Sequence, residues 1–262
     1  MSKQQESIGR TLLVALLVCL VCSVVVSTAA VSLKPTQIVN RQLDKQRNIL
    51  SIAGLAEDTA SGADVQRIFA ERIKPRVVDL KTGRFTDAQN PATFDPLAAA
   101  KDPALSDALP ADQDPAGIRR REHQSVVYLV EGEKGLETIL LPIRGYALWS
   151  TLHGFIALKN DLNTVVGLGF YQHAETPGLG GEIDNPRWKA LWPGKQVYDE
   201  AGNPVVTVVK GSVDPNSPRA VHQVDGLAGA TLTSKGVDHL VKYWLGPQGF
   251  GPFLAHLRAG DN

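Results

Sequence analysis

The sequence predicts an α+β protein: a single N-terminal transmembrane helix, then a mixed, mainly antiparallel sheet flanked by helices. Three observations predict it. Thr11 to Leu33 carries no charged residue and is mostly Leu, Val, Ala and Cys, and about 20 apolar residues span a bilayer as a helix. Gln124–Glu131, Glu137–Leu141, Gly154–Leu158 and Thr164–Tyr171 follow one another quickly. They are rich in Val, Ile, Leu, Phe and Tyr and are parted by Gly, Pro and Asn, as antiparallel strands are. Helical periodicity lies on both sides of them, most clearly at Val237, Leu240, Val241, Trp244 and Leu245, which fall on one face at 3- and 4-residue spacing.

In chain order, residues 1–10 form a short polar head with Lys3 and Arg10, and residues 11–33 the span. The apolar run is longer than a signal-peptide core of about 7–15 residues, so it is read as an uncleaved anchor. Residues 34–82 form a juxtamembrane helical segment: a helix over Ile38–Ala56, a break at Thr59–Gly62, a helix over Asp64–Ile73 and a strand over Arg76–Leu80 that Pro75 begins. Residues 83–121 change composition to Asp, Pro and Ala, with three Asp-Pro pairs at Asp95, Asp102 and Asp114. That reads as an irregular insertion with little core, and Arg119, Arg120 and Arg121 as a solvated edge, with docking to a partner subunit as the second reading. Residues 122–258 hold the four strands, further short strands at Val197–Tyr198 and Val205–Val209, the helix ended by Gly246-Pro247, and a terminal helix opened by Phe250.

The 27 basic and 27 acidic residues balance, which gives no argument for a nucleic-acid partner. Cys19 and Cys22 both lie in the apolar run, where they read as small membrane residues rather than as a redox pair. The rest of the chain has no thiol for a disulfide or a cysteine-ligated cluster.

Two stretches carry candidate chemistry. In Asp225-Gly-Leu-Ala-Gly-Ala-Thr-Leu-Thr-Ser234, Gly and Ala let the backbone turn tightly, and hydroxyl residues stand where a helix begins. Thr231 or Thr233 is then placed at the N-cap, beside unpaired backbone N–H groups that attract an anion such as phosphate. No Gly-Lys-Ser/Thr follows the glycines, so this is not a Walker P-loop. In His173-Ala-Glu-Thr-Pro-Gly-Leu-Gly-Gly-Glu182, Pro177-Gly178 predicts a type II turn and Gly180-Gly181 admits a flat ring against the backbone. His173 and Glu175 lack a third ligand for a metal. Trp149, in the loop Arg144–Ser150, reads as a core residue ahead of a cofactor contact. No Gly-x-Gly-x-x-Gly fingerprint opens a strand–helix unit, and the span offers no ionisable residue for an ion path.

Asp225-x-x-Ala228-Gly229-Ala230-Thr231 resembles the acceptor sequence of flavin transferases, with Ala228 where Ser or Thr is common. His173-x-Glu-Thr-Pro-Gly-Leu-Gly180 resembles a flavin loop of the same family. That family is NqrC, a component of Na+-translocating NADH:quinone reductases, with RnfG of the Rnf complexes as its sister. Ile183-Asp-Asn-Pro186 and Trp244-Leu-Gly246 look more like NqrC. The resemblance implies FMN joined through its phosphate to the Thr231 hydroxyl, with Asp225 as the upstream acid and Gly229, Ala230, Leu232 and Thr233 around the attachment point. It implies Glu175, Thr176, Leu179 and Gly180 beside the isoalloxazine. It further implies a flavin transferase for maturation, the other subunits of a membrane NADH:quinone reductase as partners, and electron transfer ultimately to quinone. NADH is then expected to bind another subunit, and ion translocation to belong to the assembly. The resemblance puts the flavin domain on the periplasmic side of a bacterial inner membrane. Lys34, Arg41, Lys45 and Arg47 after the span would, under the positive-inside rule, put it in the cytoplasm. An Rnf-type covalent flavoprotein and a reversible FMN-binding module are the alternative readings.

Overall fold

The structure is a computed structural model that describes residues 7–57, 59–132 and 135–261; most of the polar head, residues 1–6, lies outside them. The chain divides into two units, 1–44 and 45–262. The first unit consists of most of helix α1 (Ile8–Ile52), whose apolar stretch is exposed and is long and apolar enough to cross a membrane. Pro35 lies inside this helix.

The second unit is built on a six-stranded antiparallel sheet in the order β2-β1-β5-β6-β7-β8. Its strands are β1 (Ile73–Asp79), β2 (Arg84–Phe85), β5 (Gln124–Gly132), β6 (Gly135–Tyr146), β7 (Thr151–Lys159) and β8 (Val165–Gln172). Alternation along the strands sends side chains to two faces. Val127 and Leu129 of β5, with Leu141 of β6 and its register partner Ile156 of β7, belong to the main hydrophobic cluster. Val237, Leu240 and Trp244 of α5 (Thr231–Leu245) join them there. The other face receives the end of α1 and the helix α2 (Gly62–Arg72). Phe69 meets Tyr128 edge-on at 6.1 Å, and Tyr128 meets Phe155 at 5.6 Å. Ile52 lies over Gly167 and Gly169 of β8, where a Cβ would stand 2.7 Å from its carbonyl oxygen and 3.0 Å from its Cδ1. Glycine there lets the helix end rest on the sheet.

Several elements differ from the sequence expectation. Strand β1 begins at Ile73, with Pro75 inside it, because β2 covers only Val78 and Asp79. Pro75 therefore lies in the part of β1 that is paired on one side only, where a missing N–H is tolerated. Residues 83–121 are more ordered than expected. They contain α3 (Pro96–Ala99) and most of the ribbon of β3 (Ser106–Ala108) with β4 (Arg120–Glu122), and they bury Ala99, Ser106 and Ala116. The arginines are fastened rather than solvated at two of three positions. Arg120 donates to the Ser106 hydroxyl and carbonyl at 2.9 and 2.6 Å, and Arg121 donates to the Gln248 carbonyl at 2.5 Å. The buried Glu122 carboxylate accepts from Arg144 at 2.8 Å. Composition had hidden this, since the anchors are polar residues that bury only once paired. Val197–Tyr198 takes part only through an isolated bridge of Tyr198, and the second strand contracts to β9 (Thr207–Val208), parallel to β10 (Gln223–Val224). The short helix α4 (Pro186–Lys189) and the terminal α6 (Gly251–Ala259) complete the unit.

His153 on β7 gives the fold a pH dependence. Burial first, then the charges of Arg144 and Lys101, push its pKa down from 6.5 to about 4. The unfolded chain then binds the extra proton at higher pH than the folded one, so stability falls as pH drops from 6.5 through about 4. Thermal unfolding of the full chain at pH 7 and pH 5 is expected to show a lower midpoint at pH 5. His153→Gln should flatten that difference; an unchanged difference in the variant would remove His153 as its source.

Candidate functional site

The two candidate stretches meet at the start of α5. Strand β8 ends at Gln172 and delivers the loop that begins at His173. The predicted type II turn is present: Leu179 N–H donates to the Thr176 carbonyl at 3.1 Å and Gly178 has φ +74°. Gly181 N–H donates to the same carbonyl at 2.9 Å, which closes the loop tightly over Thr176. The His173 ring braces its base. Its Nδ1 accepts from Glu175 N–H at 3.2 Å, and its Nε2 faces Asp184 Oδ2 at 2.6 Å. With Nδ1 accepting, Nε2 carries the proton towards the carboxylate.

Glu175 is 4% exposed. Its Oε1 accepts from the N–H groups of Trp149 and Ser150 at 2.9 and 3.1 Å, and its Oε2 accepts from Thr233 Oγ1 at 2.8 Å. One carboxylate thus ties the β6–β7 loop, the β8 loop and the first turn of α5 together. Burial alone would raise its pKa, but the donors from Trp149, Thr233 and Ser150 outweigh that and hold it below its ordinary value. Gly180 leaves the room this bridge needs, since a Cβ there would stand 2.5 Å from Thr233 Oγ1 and 2.8 Å from Glu175 Oε2.

The other stretch is a turn from Leu227 to Ala230. Ala230 N–H donates to the Leu227 carbonyl at 3.2 Å, and Gly229 holds φ +73°, a conformation that favours glycine. A Cβ on Gly229 would lie 3.2 Å from Leu179 Cδ2, so the two motifs touch here as well. Asp225 holds the turn from behind: its Oδ1 accepts from Val213 N–H at 2.8 Å and its carbonyl accepts from Trp188 Nε1 at 2.9 Å. Ser234 closes the turn by accepting from Leu227 N–H at 2.9 Å.

Neither threonine is the N-cap. Ala230 holds that position and makes no side-chain cap hydrogen bond. Thr231 is the first residue of the helix, and it is exposed. Thr233 is completely buried, and its hydroxyl is spent on Glu175, 58 residues away in the chain. That long-range acceptor outcompetes the local backbone for the hydroxyl. Trp149 is likewise not a core residue: it is 65% exposed. The loop's backbone packs tightly nearby: a Cβ on Gly236 of α5 would be 2.7 Å from the Ala147 Cα. The loop is pressed against the helix by its backbone and its indole is left outside. Leu179 and Leu232 are about half exposed.

An exposed hydroxyl therefore stands at a helix N-terminus, with exposed apolar side chains Leu232, Leu179 and Trp149 on the elements that the Glu175 bridge joins. Beside it opens a cavity of about 220 Å3 whose lining includes Thr231, Gly226, Leu227 and Ser234. These residues fit a phosphorylated planar ligand: small residues at the phosphate end, backbone N–H groups of a first helical turn, and apolar surface for a ring. Sequence reasoning missed the Trp149 and Ser150 N–H groups and the role of Ser234. Backbone donors leave no trace in residue type, and Ser234 reads as one more hydroxyl in a run.

An FMN-binding domain family matches residues 147–246. The chain is 66% identical over 257 residues to a Na(+)-translocating NADH-quinone reductase subunit, NqrC, of Pseudomonas aeruginosa, with 98% of each chain covered. It is 47% identical over 261 residues to the protein of the same name from Vibrio alginolyticus, covering 100% of this chain and 99% of that one. Among solved structures, Shewanella oneidensis NqrC superimposes with a TM-score of 0.74 at 35% identity, over 82% of this chain and 96% of that one.

Proposed function

The chain belongs to the NqrC family of Na(+)-translocating NADH-quinone reductases, and on that premise we propose that it carries FMN as a phosphoester on the Thr231 hydroxyl. It is a subunit of an oxidoreductase complex, with an FMN-binding domain and an electron-carrying role. The attachment, its residue and its maturation are the proposal. The observation that carries it is the contrast between two hydroxyls two residues apart: Thr231 exposed beside the cavity, Thr233 buried and donated to Glu175. Of the two, Thr231 alone is open to a phosphoryl donor.

In this reading Gly229 and Ala230 keep the approach to Thr231 free of bulky side chains, and Asp225 fixes the turn they form. Leu179, Leu232 and the loop at Thr176 and Gly180 lie against the ring, with Glu175 holding that loop from beneath. FMN, when attached, supplies the redox chemistry, and the protein sets its orientation and surroundings. A covalent tether replaces a binding equilibrium with a permanently high local concentration. A flavin transferase performs the attachment, and the partners in electron transfer are the other subunits of the complex. The FMN-binding domain is taken as 122–258, which contains the matched segment 147–246. Residues 11–33 lie in the apolar helix and are taken as the single span.

The test is in-gel fluorescence. Full chain expressed with a flavin transferase is expected to give a fluorescent band after denaturation. A dark band despite an active transferase would leave only reversible FMN binding. The domain is placed on the periplasmic side of a bacterial inner membrane, as the family resemblance implies and against the charge count after the span. Alkaline phosphatase fused after Gly260 is expected to be active and green fluorescent protein at the same place to be dark. The reverse pattern would put the domain in the cytoplasm.

A further inference from the structure

The cavity beside Thr231 has a charge that its fold does not require. Its lining includes two lysines, Lys210 and Lys235, and no acidic residue, in a chain whose basic and acidic residues balance overall. Both lysines are exposed. Among the described residues neither ammonium group has a hydrogen bond or ion pair, whereas Lys242 on the same helix pairs with Asp238 at 2.9 Å. The backbone brings the two together. Lys210 stands before a reversal at Gly211, φ +83°, where Gly226 N–H donates to the Gly211 carbonyl at 2.8 Å. A Cβ on Gly226 would be 2.3 Å from the Val209 carbonyl oxygen, so the segment carrying Lys210 can lie against the acceptor turn only with glycine there. Lys235 is one helical turn beyond Thr231 on α5, and residues four apart share a helix face.

We infer that Lys210 and Lys235 are a cationic clamp for the phosphoryl group that Thr231 receives, so that this chain, and not the transferase alone, supplies charge for its own flavinylation. The inference rests on the phosphoester reading above. In the transfer, the Thr231 oxygen forms a bond to the phosphorus that carries the riboflavin. The phosphoanhydride bond to the adenylate half of the flavin dinucleotide breaks, AMP leaves with the electron pair, and the hydroxyl proton passes to a base or to solvent. Negative charge grows on the diphosphate oxygens as that bond breaks. Two ammonium groups without competing partners are placed to meet it, and the first N–H groups of α5 add to them.

The experiment measures the initial rate of fluorescent flavin incorporation into detergent-purified full chain, with FAD and transferase, at low and high salt. The Lys210→Gln, Lys235→Gln double variant is expected to be slower than the parent by roughly tenfold at low salt. The gap should close as salt rises, because screening shortens the Debye length from about 10 Å at 0.1 M to about 3 Å at 1 M. A double Arg variant should keep most of the parent rate. Lys159→Gln, at the end of β7 paired with Thr138 and so at the far end of the sheet from Tyr146, serves as the control and should match the parent. A double variant as fast as the parent, or one slowed equally at every salt concentration, overturns the clamp. A thermal midpoint equal to the parent's separates lost charge from lost fold. A parent that takes up no flavin at all overturns the phosphoester reading itself, and the clamp with it; a labelled parent with an unaffected double variant overturns the clamp alone.

Discussion

Thr231→Ala is expected to remove covalent flavin completely, and Thr233→Ala to leave attachment possible while loosening the site that receives it. The first variant loses the one exposed hydroxyl of the pair, and alanine is an excellent helix residue, so the fold should be undisturbed. The second removes a buried hydroxyl and leaves one oxygen of Glu175 short of a donor, a destabilisation of about 1–3 kcal/mol. Intact mass after expression with the transferase reads both. The expected pattern is no flavin adduct in Thr231→Ala with an unchanged thermal midpoint, and a reduced adduct in Thr233→Ala with a lowered midpoint. An adduct on Thr231→Ala would show that another hydroxyl accepts.

Glu175→Ala has the largest expected effect on the fold of the site. It strands the Trp149 and Ser150 N–H groups and the Thr233 hydroxyl, all of which now end on one carboxylate. Hydrogen bonds to a charged group contribute roughly 1.5–3 kcal/mol each and buried donors left unpaired cost a similar amount. The losses overlap, so a total of about 2–4 kcal/mol is expected. Glu175→Gln should be much milder. An amide oxygen still accepts from the backbone N–H groups, and the Thr233 hydroxyl can rotate to accept from the amide nitrogen. Thermal unfolding of both variants tests this, with flavin incorporation measured alongside. If Ala and Gln are equally mild, the carboxylate does not hold the three elements together. The pH dependence has a sign too: the carboxylate's contribution is present above its ordinary value of 4.5 and is lost as pH falls through the lower folded value. Its loss therefore begins at lower pH than the loss that His153 governs.

The sheet was legible because its strands alternate and its turns are marked. All four strands expected between Gln124 and Tyr171 are present, and α5 buries Val237, Leu240, Val241, Trp244 and Leu245 as its spacing required. What sequence could not supply was any quantity set by a distant partner. Thr233 looks like a helix cap until Glu175, remote in sequence, takes its hydroxyl. Trp149 looks like core, yet its indole is exposed while the neighbouring Ala147 backbone packs on Gly236 of α5. The anchoring of residues 83–121 depends on the Glu122–Arg144 pair and on Arg120 reaching Ser106, which an Asp- and Pro-rich composition conceals. The motifs were legible as words, in Glu175, Thr176, Leu179 and Gly180 and in Asp225 to Thr233. That one carboxylate joins them is a fact of the fold.

The most direct test of the account is peptide mapping of the mature protein. Trypsin cuts after Arg219 and Lys235, so residues 220–235 leave as one peptide containing Thr231, Thr233 and Ser234. Fragmentation of that peptide is predicted to place a single FMN phosphoester on Thr231. An unmodified peptide from chain matured with an active transferase, or an adduct on Thr233 or Ser234, would contradict the assignment on which the rest depends.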